Sequence, residues 1–314
     1  MRWLLILLLV LSGAACHRGT PMTAPTGAAA EDSTLLVLVS GETGAPVAGA
    51  RLRAGGREYA ANDAGQVVVA AHSSELDIDA ADYLERQTML PPSRRLSLWP
   101  RRSPTGLDEE ATARLVYGCP APECPGGAQP LARLRKGLAA LVPSREIQAD
   151  RAAMAAFEEA AQRLSDATAG EVALQVVTVG RPGVTTVTAT VDGEDPSILS
   201  MRAGAVTRRE QTSRSEVVRA SITFRSLALA RRTPLVLHEL GHVFGLGHSG
   251  HRGDVMWTGP EIYSRADYSA RERLTIALML QRDPGNRYPD DGRGALRARG
   301  VEALSTTVIS CDVP

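Results

Sequence analysis

The sequence predicts an α+β (mixed α/β) chain in which a small all-β unit precedes a larger domain of strands and helices. Three observations carry this. Residues 34–92 alternate apolar and polar positions between Gly- and Asn/Asp-rich turns, the pattern of short strands joined by tight connections. From about residue 131 the period changes: Met154, Phe157, Ala161 and Leu164 recur every three to four residues, as on one face of a helix. Finally, 314 residues that are 44% hydrophobic and 22% charged are enough for about two domains and do not have the composition of a disordered chain. With 35 basic residues balanced by 35 acidic ones, there is no bulk positive charge to hold nucleic acid, which excludes that class of binder.

Met1-Arg2 is a positive start, Trp3 to Leu11 a nine-residue apolar run, and Ser12-Gly13-Ala14-Ala15 a small-residue stretch ending at Cys16. The run is too short to cross about 30 Å of hydrocarbon as a helix; it reads as a secretory signal over residues 1–16. A Cys after small residues resembles the bacterial lipoprotein signal, which implies lipidation of Cys16. Gly13 departs from the branched residue usual three before that Cys, so plain secretion stands as the alternative. A membrane is then met only through a lipid anchor, and the chain is expected outside the cytoplasm. Residues 17–33 are small, polar and Pro-containing, a flexible tether.

Within 34–92, Leu35 to Val39 and Val47 to Leu52 are strand candidates, and Asn62-Asp63-Ala64-Gly65 is a turn before Val67-Val68-Val69. The string SGETGAPVAGARLRAGGREYAANDAGQVVV resembles the carboxypeptidase regulatory-like domain, a small Ig-like sandwich that implies spacing or docking rather than catalysis. Residues 93–130, rich in Pro and Arg, read as a connector. Within it, Ala111 to Tyr117 has the character of an ordered segment.

The second domain is expected over 131–314. Arg151 to Leu164 is a helix by its spacing; Val172 to Val179, Thr185 to Val191, Ala203 to Thr207 and Ala220 to Arg225 are strands. Thr233-Pro234 opens a second helix with Thr as N-cap and Pro in the first turn. A third runs from about Ser269 to Gln281. The paired arginines Arg208-Arg209 and Arg231-Arg232 read as solvated faces. Of the four cysteines, Cys119 and Cys124 are close together and suggest a local disulfide, with Cys311 left over or pairing with one of them; spacing does not choose.

The chemistry is concentrated in His238-Glu239-Leu240-Gly241-His242-Val243-Phe244-Gly245-Leu246-Gly247-His248. Residues four apart share a helix face, so His238 and His242 can address one ion, with Glu239 beside them. Gly245 can take the positive φ that ends a helix, returning His248 toward the same point. Three imidazoles with a position left for water describe a catalytic rather than a closed zinc site. A metal-bound water near pKa 7 supplies the nucleophile, and Glu239 handles its proton. His251 is a poorer third ligand by spacing.

With Met256 eight residues beyond His248, this string resembles the extended zinc motif and Met-turn of the metzincins, and within them the matrixins. The resemblance covers most of residues 131–285. It implies a metzincin-like domain of a twisted mixed sheet and three helices, with His238, His242 and His248 as Zn2+ ligands, Glu239 as general base and acid, and Met256 packed beneath the metal. It also implies an extended peptide or protein substrate added antiparallel to an exposed sheet edge, here near Ala203 to Arg208, with a pocket near Pro260 to Tyr263. Thr258 stands where other metzincin branches place a Tyr, leaving oxyanion stabilisation to zinc and backbone or to Tyr263. Gly118-Cys119-Pro120 lacks the flanks of the matrixin latency motif, so a disulfide is preferred to a zinc-binding role for Cys119. Calcium, which matrixins hold structurally, could only be sought at Asp290-Asp291, where no loop pattern supports it. The reading is a secreted or lipid-anchored zinc endopeptidase; the rival is a non-catalytic surface lipoprotein or adhesin that keeps a structural zinc. No feature speaks to oligomeric state.

Overall fold

The computed structural model describes residues 33–70, 74–119, 128–258, 265–293 and 303–312. Cys16, Cys124 and the proposed pocket residues Pro260 to Tyr263 lie outside the described residues. The chain is mixed α/β, with N-terminal all-β sheets followed by a mixed sheet packed with helices.

The first unit has two sheets. β1 (Ser33–Ser40), β2 (Arg51–Ala54), β3 (Arg57–Ala60), β4 (Gln66–Ala70), β5 (Glu75–Asp79), β6 (Arg86–Met89) and β7 (Arg95–Leu98) arrange as β4-β1-β7 and β3-β2-β5-β6. Alternation along β1, β2 and β4 sends Leu36, Leu38, Leu52, Val67 and Val69 into one core with Leu76 and Leu96. β7 corrects the reading of 93–130 as a connector: Leu96 and Leu98 bury against that core while the strand lies parallel to β1. Proline and arginine content hid two apolar residues at strand spacing. The same stretch holds α1 (Glu109–Tyr117), N-capped by Asp108, which accepts from Ala111 N at 2.8 Å, and closed by Gly118 at φ 61°.

In the second part β8 (Arg133–Leu134), β9 (Gly137–Pro143), α2 (Arg145–Gln148), α3 (Arg151–Ala167), β10 (Val172–Val176), β11 (Thr185–Val191), α4 (Pro196–Met201), β12 (Ala203–Gln211), β13 (Glu216–Phe224), α5 (Leu227–Ala230), α6 (Thr233–Phe244), α7 (Ala270–Leu280) and β14 (Ser305–Asp312) follow in order. Seven strands form one sheet in the order β10-β9-β11-β13-β12-β14, with β8 beside β13. β9, β10, β11 and β13 are mutually parallel; β12 and β14 run antiparallel to their neighbours. α3 packs against α6 and β10, with Phe157 meeting Phe224 edge-on at 5.8 Å.

Every residue of α6 from Leu235 to Phe244 is buried. A helix enclosed on all sides carries polar side chains only where something internal receives them, so the two histidines and the glutamate within it need partners. The cap of α6 falls one residue earlier than expected: Arg232 is N-cap, and the Thr233 hydroxyl donates instead to Glu159 at 2.9 Å. α7 begins with a full capping box between Ser269 and Glu272.

The two parts meet at a buried ion pair. Arg282 donates to both oxygens of Asp290 at 2.7 Å, to Ser97 Oγ and carbonyl at 2.8 Å, and lies 4.6 Å from the Trp99 ring centroid. Asp290 is therefore spent on a guanidinium, and Asp291 accepts from Arg293, which removes this pair as a calcium site. The arginines expected in solvent also have partners: Arg208 binds Asp195 and Ser197, and Arg209, 4% exposed, donates to the His242 carbonyl at 3.0 Å.

Candidate metal centre

His238 and His242 stand one turn apart on α6, with ring centroids 4.7 Å apart. Gly245 ends the helix at φ 137°, and a Cβ there would lie 2.0 Å from the Ala132 carbonyl oxygen. Only glycine fits both the angle and the approach. Gly247 is required on similar grounds, since its Cβ would fall 2.4 Å from the Arg114 carbonyl oxygen. Its N–H donates to Leu115 O at 2.7 Å, tying this bend to α1. The chain so turned brings His248 Nε2 to 3.1 Å from His242 Nε2.

A fourth group completes the cluster. Cys311, on β14, places its Sγ 3.0 Å from His238 Nε2, 3.3 Å from His242 Nε2 and 3.7 Å from His248 Nε2. The four donor atoms lie within 4.8 Å of one another and form a cluster able to hold a metal ion. Tetrahedral coordination at metal–nitrogen distances of about 2.0–2.1 Å and metal–sulfur about 2.3 Å has donor–donor edges of roughly 3.3–3.6 Å. The sulfur–nitrogen separations of 3.0 to 3.7 Å straddle that range.

The proton positions point the same way. His238 Nδ1 is 2.6 Å from Val255 O, and His242 Nδ1 is 2.9 Å from Leu246 O. A carbonyl oxygen only accepts, so each Nδ1 carries the ring proton and each Nε2 presents a lone pair. Backbone carbonyls fixing the tautomer in this way are the usual outer support of metal-bound imidazole. Burial, reinforced by His248 nearby, drives His238 down to about 3, and the same two causes hold His242 well below its ordinary range. Both rings stay neutral, the form a metal binds. Two inward lone pairs, a third imidazole and a thiol converging on one point are a donor set that fits a cation.

Glu239 is wholly buried. Its Oε2 accepts from Thr207 Oγ1 of β12 at 2.6 Å, while Oε1 lacks a hydrogen bond of good geometry among the described residues. Burial pushes its carboxyl up to about 7, opposed by the Thr207 hydroxyl and the Cys311 thiol. A carboxyl balanced near neutrality can take a proton and return it.

Met256 lies beneath α6. A Cβ on Gly241 would come within 2.4 Å of its sulfur, so the missing side chain is what lets the methionine sit against the helix between the two histidines. Its N–H donates to Glu272 at 2.7 Å and its carbonyl accepts from Ser249 N at 2.8 Å. Asp254, for which the sequence suggested no role, is 1% exposed and ties this loop down, accepting from Ser249, Ser269 and Arg271. His251 is exposed and outside the cluster.

One expectation is corrected: the β12 edge is covered, because β14 pairs with it antiparallel from Ala203↔Asp312 to Gln211↔Ser305. Cys119 is disulfide-bonded, as preferred from the sequence, and the thiol at the histidines is the left-over Cys311. Sequence reasoning missed Cys311 and Thr207. The signal for Cys311 was the odd cysteine left over by the expected pairing, the kind that marks a reactive or ligating thiol; Thr207 carried none. Compared with known proteins, the chain matches no family model and no curated protein.

Proposed function

We propose that this chain is a zinc-dependent peptidase of metzincin type. The observation carrying the reading is the convergence of His238, His242 and His248 on one point, with the buried Glu239 beside them and its Oε1 left without a good hydrogen bond. Nitrogen and sulfur donors of this kind suit zinc. Bound there, zinc would polarise a scissile carbonyl and make a water nucleophilic near neutral pH.

The chain's own residues do the rest. Val255 and Leu246 carbonyls hold the imidazoles in the binding tautomer. Thr207 fixes one oxygen of Glu239 so that the other faces the reacting water, takes its proton and delivers it to the departing amine. β12 offers its backbone to an extended peptide once its edge is clear. Export by the leader ending at Cys16, with lipid attachment there, is part of the same proposal.

One observation favours a second reading. Four donors close the coordination sphere, and closed four-ligand zinc sites are usually structural. On that reading the protein is a non-catalytic surface module. The two part in a chain without residues 1–16, carrying Cys311→Ser and loaded with zinc. The peptidase reading expects cleavage of a mixed peptide pool, abolished by chelator and lowered about 10²–10⁴-fold by adding Glu239→Ala, the range for losing a general base. Equal cleavage by both chains, or none by either, removes it.

A further inference from the structure

We infer that the C-terminal strand is a built-in inhibitor, with Cys311 as fourth metal ligand and β14 occupying the peptide-binding edge. This rests on the peptidase reading and goes beyond it. Two independent features of the fold coincide. β14 covers the β12 edge over the whole run from Ala203 to Gln211, and it does so antiparallel, the direction in which an extended substrate adds to such an edge. The same strand delivers Sγ to within 3.7 Å of all three histidine Nε2 atoms.

The consequence follows from coordination number. Three imidazoles and a thiolate complete a tetrahedron, so sulfur sits where the reacting water must. The thiol proton is released to solvent on binding; no bond to carbon forms or breaks. Glu239 then has no water to deprotonate, and β14 leaves no room for a peptide on β12. Thr207 is central to both halves of the device. Its backbone pairs with Ile309 of β14, while its hydroxyl holds Glu239. A tethered strand competes at an effective concentration of about millimolar, so an ordinary peptide displaces it poorly. Activation therefore requires removal or lifting of β14 rather than a conformational change at the histidines.

The test uses wild type and Cys311→Ser, both without residues 1–16, with Cys311→Ala as a second variant should serine impair folding. With Co2+ in place of zinc, wild type should show thiolate-to-cobalt charge-transfer absorption that both variants lack. Zinc should also protect Cys311 from alkylation, followed by mass spectrometry of its peptide, and chelator should expose it. Zinc-loaded variants should cleave a peptide pool about tenfold faster than wild type or more, given the millimolar competitor removed. Absence of the charge-transfer band, or alkylation indifferent to zinc, overturns the proposal. So does wild type cleaving as fast as the variants, while their sensitivity to Glu239→Ala keeps the peptidase reading. Variants that bind metal yet never cleave overturn both.

Discussion

Two of the buried polar clusters among the described residues are built on different terms. Around Arg282 and Asp290 opposite charges meet: the guanidinium reaches both carboxylate oxygens at 2.7 Å, and Asn286 Nδ2 donates to Asp290 at 2.9 Å. Around His238, His242, His248 and Cys311, two imidazole lone pairs converge with a third ring and a thiol on a point that could hold a metal ion. The first cluster is held by charge pairing within the folded chain and joins the two parts of the molecule. The second gathers metal-ligating atoms and could hold a cation. Burial alone therefore does not mark a functional centre; the convergence of ligating atoms does.

Substitution and metal removal should separate the two. Asp290→Ala leaves Arg282, with a side chain 2% exposed, as an unpaired buried charge and should cost about 3–5 kcal/mol, to the same extent with zinc or with chelator. His242→Ala should behave otherwise. Zinc at a thousandfold excess over its dissociation constant stabilises wild type by about 4 kcal/mol relative to chelated protein, and in His242→Ala that gap should nearly close. Urea unfolding of the three chains with and without chelator checks both. A zinc gap unchanged in His242→Ala would break the comparison.

The contrast also explains what was legible in advance. The histidine spacing, Gly245 and Met256 could be read because each is a local consequence of helix geometry or of the turn that follows it. The strands β10 to β13 were visible from local apolar content and alternation for the same reason. Cys311 and Thr207 were not, because they reach the centre through sheet order, and a sequence of strands does not announce which one returns to an edge. β14 does carry a β-branched run, Thr306-Thr307-Val308-Ile309, a strand signal, but propensity does not say which edge such a strand joins. The Arg282–Asp290 pair hid likewise: its partners are eight residues apart, and its surroundings depend on Ser97 and Trp99 of the preceding unit.

A smaller perturbation tests how tightly the metal centre depends on its floor. Gly241→Ala puts a methyl 2.4 Å from the Met256 sulfur and 3.3 Å from the Tyr268 hydroxyl. Overpacking of this kind costs about 1–3 kcal/mol, offset in part by the better helix propensity of alanine, about 1 kcal/mol. A modest net loss of stability is expected. Zinc affinity should fall as well, because Met256 cannot move without shifting the loop that carries the Val255 carbonyl and hence the His238 ring. A zinc titration unchanged from wild type would show that Met256 packs there without supporting the ligands.

The finest effect lies at the anchor of that loop. Glu272 accepts from Met256 N and Ser269 N, both at 2.7 Å. Burial, and then Asp254 nearby, push its carboxyl up to about 7 from 4.5. A carboxyl raised on folding holds its proton longer in the native state than in the unfolded one. Its contribution is fully present below pH 4.5 and is lost as pH rises through about 7. Glu272→Gln cannot ionise and keeps only one carbonyl acceptor, so it should be less stable than wild type by about 1 kcal/mol at pH 4.5. The deficit should shrink or reverse by pH 7.5, a relative change on the order of 1–2 kcal/mol. Unfolding of both chelated proteins across that window measures it, and a difference independent of pH would place the Glu272 titration back near its ordinary value.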